Sequence, residues 1–205
     1  MRTDKLVLIA GSAGSLQVML NILLAMGKEY PIPVLVVLHR NNVFESSLEE
    51  LMSMRTNIAI KEVEEKEPVL PGMVYLCPAD YHVLLEQDHT FSLDYSERVN
   101  YSRPSIDVTM HSAADVYGDG LIALLLSGGN ADGSDGMAYV QSKGGFTVVQ
   151  DPETAEVPFM PQQAILRVSV DLVVPTDELP GLMKGFGRPA PPPAGNAASD
   201  RFTDS

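Results

Sequence analysis

Residues 5–15, KLVLIAGSAGS, constrain the fold more than any other stretch of the chain. An apolar run of strand length enters a turn of small residues. The residues that follow, 16–26 (LQVMLNILLAM), carry apolar side chains at helical spacing as far as a stop at Gly27. A buried strand feeding a helix through a tight turn is the first half of a strand–helix–strand unit, which points to an α/β fold. Ser12 lies in that turn, at the carboxyl end of the strand and the amino end of the helix. Unpaired backbone N–H groups and the helix dipole favour negative charge there. The place suits an alkoxide or an oxyanion, and it suits a phosphate equally well. An ordinary tight turn also calls for the same residues. Gly11 and Gly14 give only G-x-x-G, short of the dinucleotide fingerprint and of a P-loop with its lysine.

The pattern recurs downstream. Residues 34–39 (VLVVLH) form a continuous apolar run suited to a parallel strand buried on both faces, and it ends on His39. Residues 121–137 (LIALLLSGGNADGSDGM) repeat the opening motif of strand, glycine-rich turn and helix, with Asp132 in the turn. Helices are predicted at 46–54, with Ser46 and Glu49 as a capping box, at 104–117, at about 135–143, at 160–167 and at 176–186. Between 58 and 95 the short apolar runs separated by turn residues predict local antiparallel hairpins. The sum is a three-layer α/β/α, doubly wound, mainly parallel sheet with added antiparallel hairpin strands. Residues 1–187 form one domain, and 188–205, rich in proline and small residues, form a disordered tail.

Charge and composition exclude several functions. With 14 basic against 27 acidic side chains the formal net charge is −13, so nucleic acid and anionic membrane surfaces are unsuited as partners. No apolar run reaches the length of a membrane span. The single cysteine, Cys77, sits in an apolar run and reads as a core residue of a reducing compartment, so the expected location is cytoplasmic. The mixed run Glu62, Glu64, Glu65, Glu67 with Lys61 and Lys66 reads as a solvated face. No cofactor or metal is called for, although Asp107, His111 and Asp115 could share a helix face.

Three strongly apolar strands end in Ser12, His39 and the loop bearing Asp132, so all three fall on one edge of the sheet. Working groups gather at that edge in folds of this kind. A serine hydroxyl needs an imidazole to take its proton, and the imidazole needs a carboxylate to fix its tautomer and stabilise the imidazolium. The order Ser, His, Asp and the missing G-x-S-x-G exclude the nucleophile-elbow hydrolases. Each residue also has a plain reading, as a turn residue, a hydrogen-bonded structural histidine and an Asx turn or helix cap.

Seven collinear blocks give a sharper reading. IAGSAGS at 9–15, VVLHR at 36–40, PGMVYLCPADYH at 71–82, SRPSIDV at 102–108, LLLSGGNADGSDGM at 124–137, GGFTVVQD at 144–151 and VPFMPQQAI at 157–165 resemble the catalytic domain of the CheB-type chemotaxis protein-glutamate methylesterases. The resemblance implies Ser12 as nucleophile, His39 as base and Asp132 as third member. It places oxyanion donors at the backbone of Ala13 and Gly129, and His82 and Arg103 beside the substrate cleft. It implies hydrolysis of glutamyl methyl esters on the cytoplasmic helices of chemotaxis receptors, with deamidation of glutamines as a second reaction.

The chain departs from the family pattern around the site. Ala13, Gly14 and Ser15 replace a threonine and a double glycine. Gly128, Gly129 and Asn130 replace a G-M-G turn, and Arg40 and Asn41 replace a methionine and a proline. These changes leave open a catalytically impaired, receptor-binding module. The first strand begins near the N-terminus, with no room before it for the receiver domain that family members often carry. Access to the site is therefore expected to be constitutive, or controlled by a separate protein.

Overall fold

A computed structural model describes residues 4–39 and 48–188. Along them run β1 (Leu6–Gly11), α1 (Leu16–Met26), β2 (Val34–Leu38), α2 (Leu48–Arg55), β3 (Ala59–Glu62), β4 (Met73–Leu76), β5 (His82–Leu85), β6 (Phe91–Asp94) and α3 (Ile106–Tyr117). After a single 3-10 turn at Gly118–Gly120 come β7 (Leu121–Leu125), α4 (Ser134–Ser142), β8 (Phe146–Gln150), α5 (Phe159–Arg167), β9 (Leu172–Val174) and α6 (Leu179–Phe186).

Seven strands form one sheet in the order β3-β4-β2-β1-β7-β8-β9, and every pairing in it is parallel. The unbroken apolar character of β1, β2 and β7 follows from their place in the middle of that sheet, where both faces are covered. Successive side chains of a strand point to opposite faces, so β1 feeds two cores at once. Leu6, Leu8 and Ala10 pack with Ile106 and Met110 of α3, Met137 of α4 and Met160 of α5. Val7 and Ile9 pack with Met19 and Ile22 of α1, Met52 of α2 and Met183 of α6. The result is the three-layer, doubly wound fold expected from the sequence.

One expectation is corrected. Of the strands between residues 58 and 95, only β5 and β6 form an antiparallel hairpin, with His82 opposite Asp94 and Leu85 opposite Phe91. β3 and β4 join the main sheet and pair in parallel, from Ala59 opposite Met73 to Glu62 opposite Leu76. The ten-residue connection between them is long enough to carry the chain back, and it is fastened to the hairpin on its way. Lys66 N donates to Phe91 O at 2.9 Å, Phe91 N to Glu67 O at 2.9 Å, and Val69 N to His89 O at 2.9 Å. The turn signal at Pro71 and Gly72 introduces β4; it does not fold β4 back against β3.

Other readings stand close to their elements. Cys77 is buried in the core. Lys61 pairs with Glu64 at 3.0 Å and Glu67 at 2.9 Å. The capping residue Ser46 and the tail from residue 189 lie outside the described residues, as do Arg40 and Asn41.

From β1 the chain first builds outward through β2 to β4 and β3, then crosses to the opposite side of β1 and continues through β7, β8 and β9. The order therefore reverses between β1 and β7, and at such a switch point the loops leaving the strands diverge and open a crevice. Ser12 is the first residue beyond β1 on that edge.

Candidate active site

Ser12 is held from both sides by the neighbouring strands. Its amide donates to Ser127 O at 2.9 Å, one residue beyond the Leu126 N bond to Ala10 O that extends the β1–β7 ladder. On the other side, Gly11 pairs with Leu38 and His39 N donates to Gly11 O at 3.2 Å. Ser12 and His39 are thus the next residues in register on adjacent parallel strands, whose backbones run about 4.8 Å apart. Ser15 closes the turn: its amide and its hydroxyl both donate to Ser12 O, at 3.1 and 2.6 Å. A Cβ at Gly11 would strike Ser15, and one at Gly14, whose φ is +78°, would strike Ser127 and Glu156, so the turn requires both glycines.

Asp132 is fully buried and receives five donors. His39 Nε2 lies 2.8 Å from Oδ2, and Ile106 N donates to the same oxygen at 2.7 Å. Oδ1 accepts from the Ser105 hydroxyl at 2.9 Å, from Asp107 N at 3.1 Å and from Asn100 Nδ2 at 3.4 Å. The two amides belong to the first turn of α3, so the carboxylate sits at the positive end of that helix dipole. Burial pushes the Asp132 carboxyl up. The His39 contact and the amides of Ile106 and Asp107 outweigh it and hold the group at about 2. An ionised carboxylate can only accept, so Nε2 carries the imidazole proton and Nδ1 is the nitrogen with a free lone pair.

Nδ1 faces the Ser102 hydroxyl, 3.4 Å away. Among the described residues, the Ser12 hydroxyl makes no hydrogen bond to His39. The structure therefore brings His39 and Asp132 into direct contact and sets Ser12 beside them in register. Ala13 and Gly129 are exposed residues, and neither amide has a hydrogen-bond acceptor among the described residues. The Ala13 N–H shares its peptide with Ser12 O, which Ser15 holds, and the next peptide is held through Ala13 O, which accepts the Ser127 hydroxyl at 2.7 Å. Ser127 N in turn donates to the buried Gln150 side chain at 2.8 Å.

His82 and Arg103 both hold the loop that leads to α3. His82 is buried; its Nδ1 accepts from Ser105 N at 3.1 Å and its Nε2 faces Glu97 O at 3.0 Å. Arg103 donates to Tyr95 O and Ser96 O at 3.1 and 2.6 Å and covers the Tyr95 ring at 4.0 Å. Both residues anchor the segment that bears Asn100, Ser102 and Ser105.

Asp107, which the sequence reading considered only as a member of a possible metal trio, lies beside Asp132 in the structure. Its Oδ1 accepts from Gly133 N at 2.9 Å and Gly136 N at 2.7 Å, and its Oδ2 from Asn100 Nδ2 at 3.0 Å. Burial pushes this carboxyl up to about 7, against the Gly136 amide and with help from the charge on Asp132. Asp115, the outer member of the possible metal trio, instead binds Tyr139 and Lys143. Among the described residues no group of three or more His, Cys, Asp or Glu side chains is placed to hold a metal ion.

Fold and site together define a class: a doubly wound α/β domain with a serine, a histidine and a carboxylate gathered at its switch point. A family model described as CheB methylesterase matches residues 7–183, and the chain belongs to the CheB methylesterase family. A relative from Leptospira interrogans serogroup Icterohaemorrhagiae serovar copenhageni is 43% identical over 173 residues, covering 84% of this chain and 90% of its own. A Thermotoga maritima protein named protein-glutamate methylesterase/protein-glutamine glutaminase is 34% identical over 181 residues, 87% of this chain and 53% of its own. A relative of the same activity from Geobacter metallireducens is 31% identical over 90% of this chain and 51% of its own. The chain thus spans about half the length of these last two. The crystal structure of the Thermotoga maritima CheB methylesterase catalytic domain matches with a TM-score of 0.85 at 32% identity, covering 90% of this chain and 100% of that one.

Proposed function

We propose that the chain is a serine hydrolase that demethylates glutamyl methyl esters on the cytoplasmic helices of chemotaxis receptors, and so acts in adaptation. Deamidation of receptor glutamines is its second reaction. The observation that carries this reading is the His39–Asp132 contact at 2.8 Å, one register step from Ser12 at the switch point, in a chain of the CheB methylesterase family.

The chemistry follows from the proton positions. With Nε2–H donated to Asp132, Nδ1 is the base. As Ser12 Oγ attacks the ester carbonyl, its proton passes to Nδ1, and the imidazolium is stabilised by the buried carboxylate. The oxyanion is received by the amides of Ala13 and Gly129, each worth about 3 kcal/mol in the transition state. Collapse expels the methoxy oxygen, which takes the proton from Nδ1 and leaves as methanol. A water then attacks the acyl-serine by the same route, releasing the glutamate carboxylate and restoring Ser12. On a glutamine the leaving group is ammonia. No helix among the described residues is long and apolar enough to cross a membrane. The proposed setting is the cytoplasm.

The test is methanol release from methylated receptor by wild type and by Ser12→Ala. Loss of release with retention of the thermal unfolding transition is the expected result; undiminished release overturns the reading. Binding without turnover is the second reading, favoured by the missing Ser12–His39 hydrogen bond. Receptor binding by a wild-type chain that releases no methanol would establish it in place of the first.

A further inference from the structure

Asp132 is not the only side chain that holds the base. The hydroxyl of Ser102 lies 3.4 Å from His39 Nδ1, and the Asn130 amide nitrogen lies 3.4 Å from that hydroxyl. Asn130 is itself fixed, because its Oδ1 accepts from Asp132 N at 3.2 Å. One side chain therefore ties the loop bearing the carboxylate to the loop bearing Ser102.

The hydrogen-bond directions can be assigned. The Asn130 amide nitrogen can only donate, so it occupies a lone pair of the Ser102 oxygen and leaves the Ser102 proton to be given away. Two acceptors are in reach, His39 Nδ1 and Asn100 O, each at 3.4 Å. In the neutral imidazole Nδ1 is an acceptor, and Ser102 donates to it. Nδ1 has one lone pair, so Ser102 turns its own proton to Asn100 O and clears it as Ser12 presents its hydroxyl. Once protonated, Nδ1 is a donor, and Ser102 offers the imidazolium its remaining lone pair. A hydroxyl can serve both forms of the base, which neither a fixed acceptor nor a fixed donor can do.

The backbone makes this arrangement rigid. Residues 99–102 form a two-residue hairpin turn, with Val99 N donating to Ser102 O at 3.2 Å and Ser102 N to Val99 O at 2.9 Å. Its central residues, Asn100 and Tyr101, have φ of 50° and 63°, the left-handed pair that such turns require. Asn100 also donates its side chain to Asp132 and Asp107, so the turn is nailed to the carboxylate on its inner side. The His39 side chain is only 10% exposed, which makes a protein partner for Nδ1 worth more than at an open surface.

We propose that Ser102, clamped by Asn130, is a positioning residue for His39: it holds the imidazole through Nδ1 in the resting state and follows that nitrogen through its change from acceptor to donor. The proposal rests on His39 acting as base, and its test separates the two. Nitrogen NMR of labelled histidine, assigned with a His39→Gln control, reads the unprotonated Nδ1 without any substrate. In Ser102→Ala that resonance moves toward the position of a free imidazole nitrogen, and in Ser102→Thr it returns to the wild-type position. Asn130→Asp keeps the acceptor for Asp132 N but presents an acceptor to Ser102, so it draws the hydroxyl proton away and reproduces the Ser102→Ala shift.

In methanol release, Ser102→Ala lowers kcat about fivefold, the effect of one neutral hydrogen bond, with KM unchanged and with recovery in Ser102→Thr. A resonance that does not move in Ser102→Ala overturns the proposal, whatever the rate does. An unchanged kcat with a moved resonance also overturns it, since the contact would then have no part in the reaction. Full activity in Ser12→Ala or His39→Gln defeats the hydrolase reading, while the resonance still reports on the Ser102 contact.

Discussion

Two carboxyls in one buried cluster are driven in opposite directions: burial prevails at Asp107, while at Asp132 the His39 contact and two helix amides outweigh it. Asp132 lies at the amino end of the helix, takes two of its unpaired amides and faces His39. Asp107 lies inside the first turn, and burial pushes it up to about 7 from an ordinary value of 3.8. Between those two values the native state keeps a proton that the unfolded chain has released, so this group's contribution to stability falls as pH rises through that window. Asp132, held at about 2, acts in the opposite sense: its contribution is lost as pH falls from 3.8 toward 2. The windows do not overlap, so one substitution isolates the first. Asp107→Asn keeps an oxygen for the Gly133 and Gly136 amides and cannot titrate. Measured against wild type by chemical denaturation, it gains about 1–3 kcal/mol between pH 4 and pH 7. A difference that is flat with pH, or that has the reverse slope, contradicts the prediction.

The turn between β1 and α1 is the element on which the nucleophile depends, and Gly14 is its tightest point. Its φ is +78°, and a Cβ there would come to 2.7 Å from both the Ser127 hydroxyl and the Glu156 Cβ. The same hydroxyl fixes the Ala13 carbonyl. Gly14→Ala therefore strains the turn directly after the Ala13 amide and pushes on the hydroxyl that holds the peptide between Ala13 and Gly14. The expected result is a loss of about 1–3 kcal/mol in stability, read by denaturation, and a fall in kcat of at least tenfold, read by methanol release. Retention of both wild-type values would show that the turn relaxes without cost. How far such elements could be read in the sequence depends on the range of the interactions behind them. Ser12, His39 and Asp132 were legible because Ser12 and His39 end apolar runs, Asp132 lies in the loop that follows a third, and the carboxyl ends of parallel strands share an edge. The sequence reading started α3 at Pro104 and so missed Ser105 as its cap, and the bond from Ser105 to Asp132 spans 27 positions and left no local trace. Ser102, Asn100 and Asn130 look like turn residues, which they also are. β3 and β4 were misread for the same reason, since short apolar runs with turns between them look alike whether they pair with each other in parallel or antiparallel.

Across the whole molecule the excess of acidic side chains acts on every element at once. The formal net charge is −13, with 14 basic residues to set against 27 acidic ones. The described ion pairs on the surface, such as Lys143 with Asp115 at 2.7 Å and Arg167 with Asp135 at 2.6 Å, are exposed. Exposed pairs contribute about 0–1 kcal/mol each, and salt weakens them. The unpaired acidic charges repel one another over longer distances, and the compact state holds them closer than the unfolded chain does. Salt screens that repulsion as well. At about 0.01 M the screening length is roughly 30 Å, the scale of a whole domain, and at about 0.15 M it has contracted to roughly 8 Å. Repulsion spread over the molecule is removed by that contraction, whereas contacts of 3 Å are only weakened. Stability near pH 7 therefore increases with ionic strength. A scan of Tm from about 0.01 M to about 0.15 M sodium chloride is expected to rise by a few degrees and then level off. A Tm that falls over the same range would mean that the local pairs around Lys61, Lys143 and Arg167 outweigh the net repulsion, and that the acidic surface is more finely paired than its charge count implies.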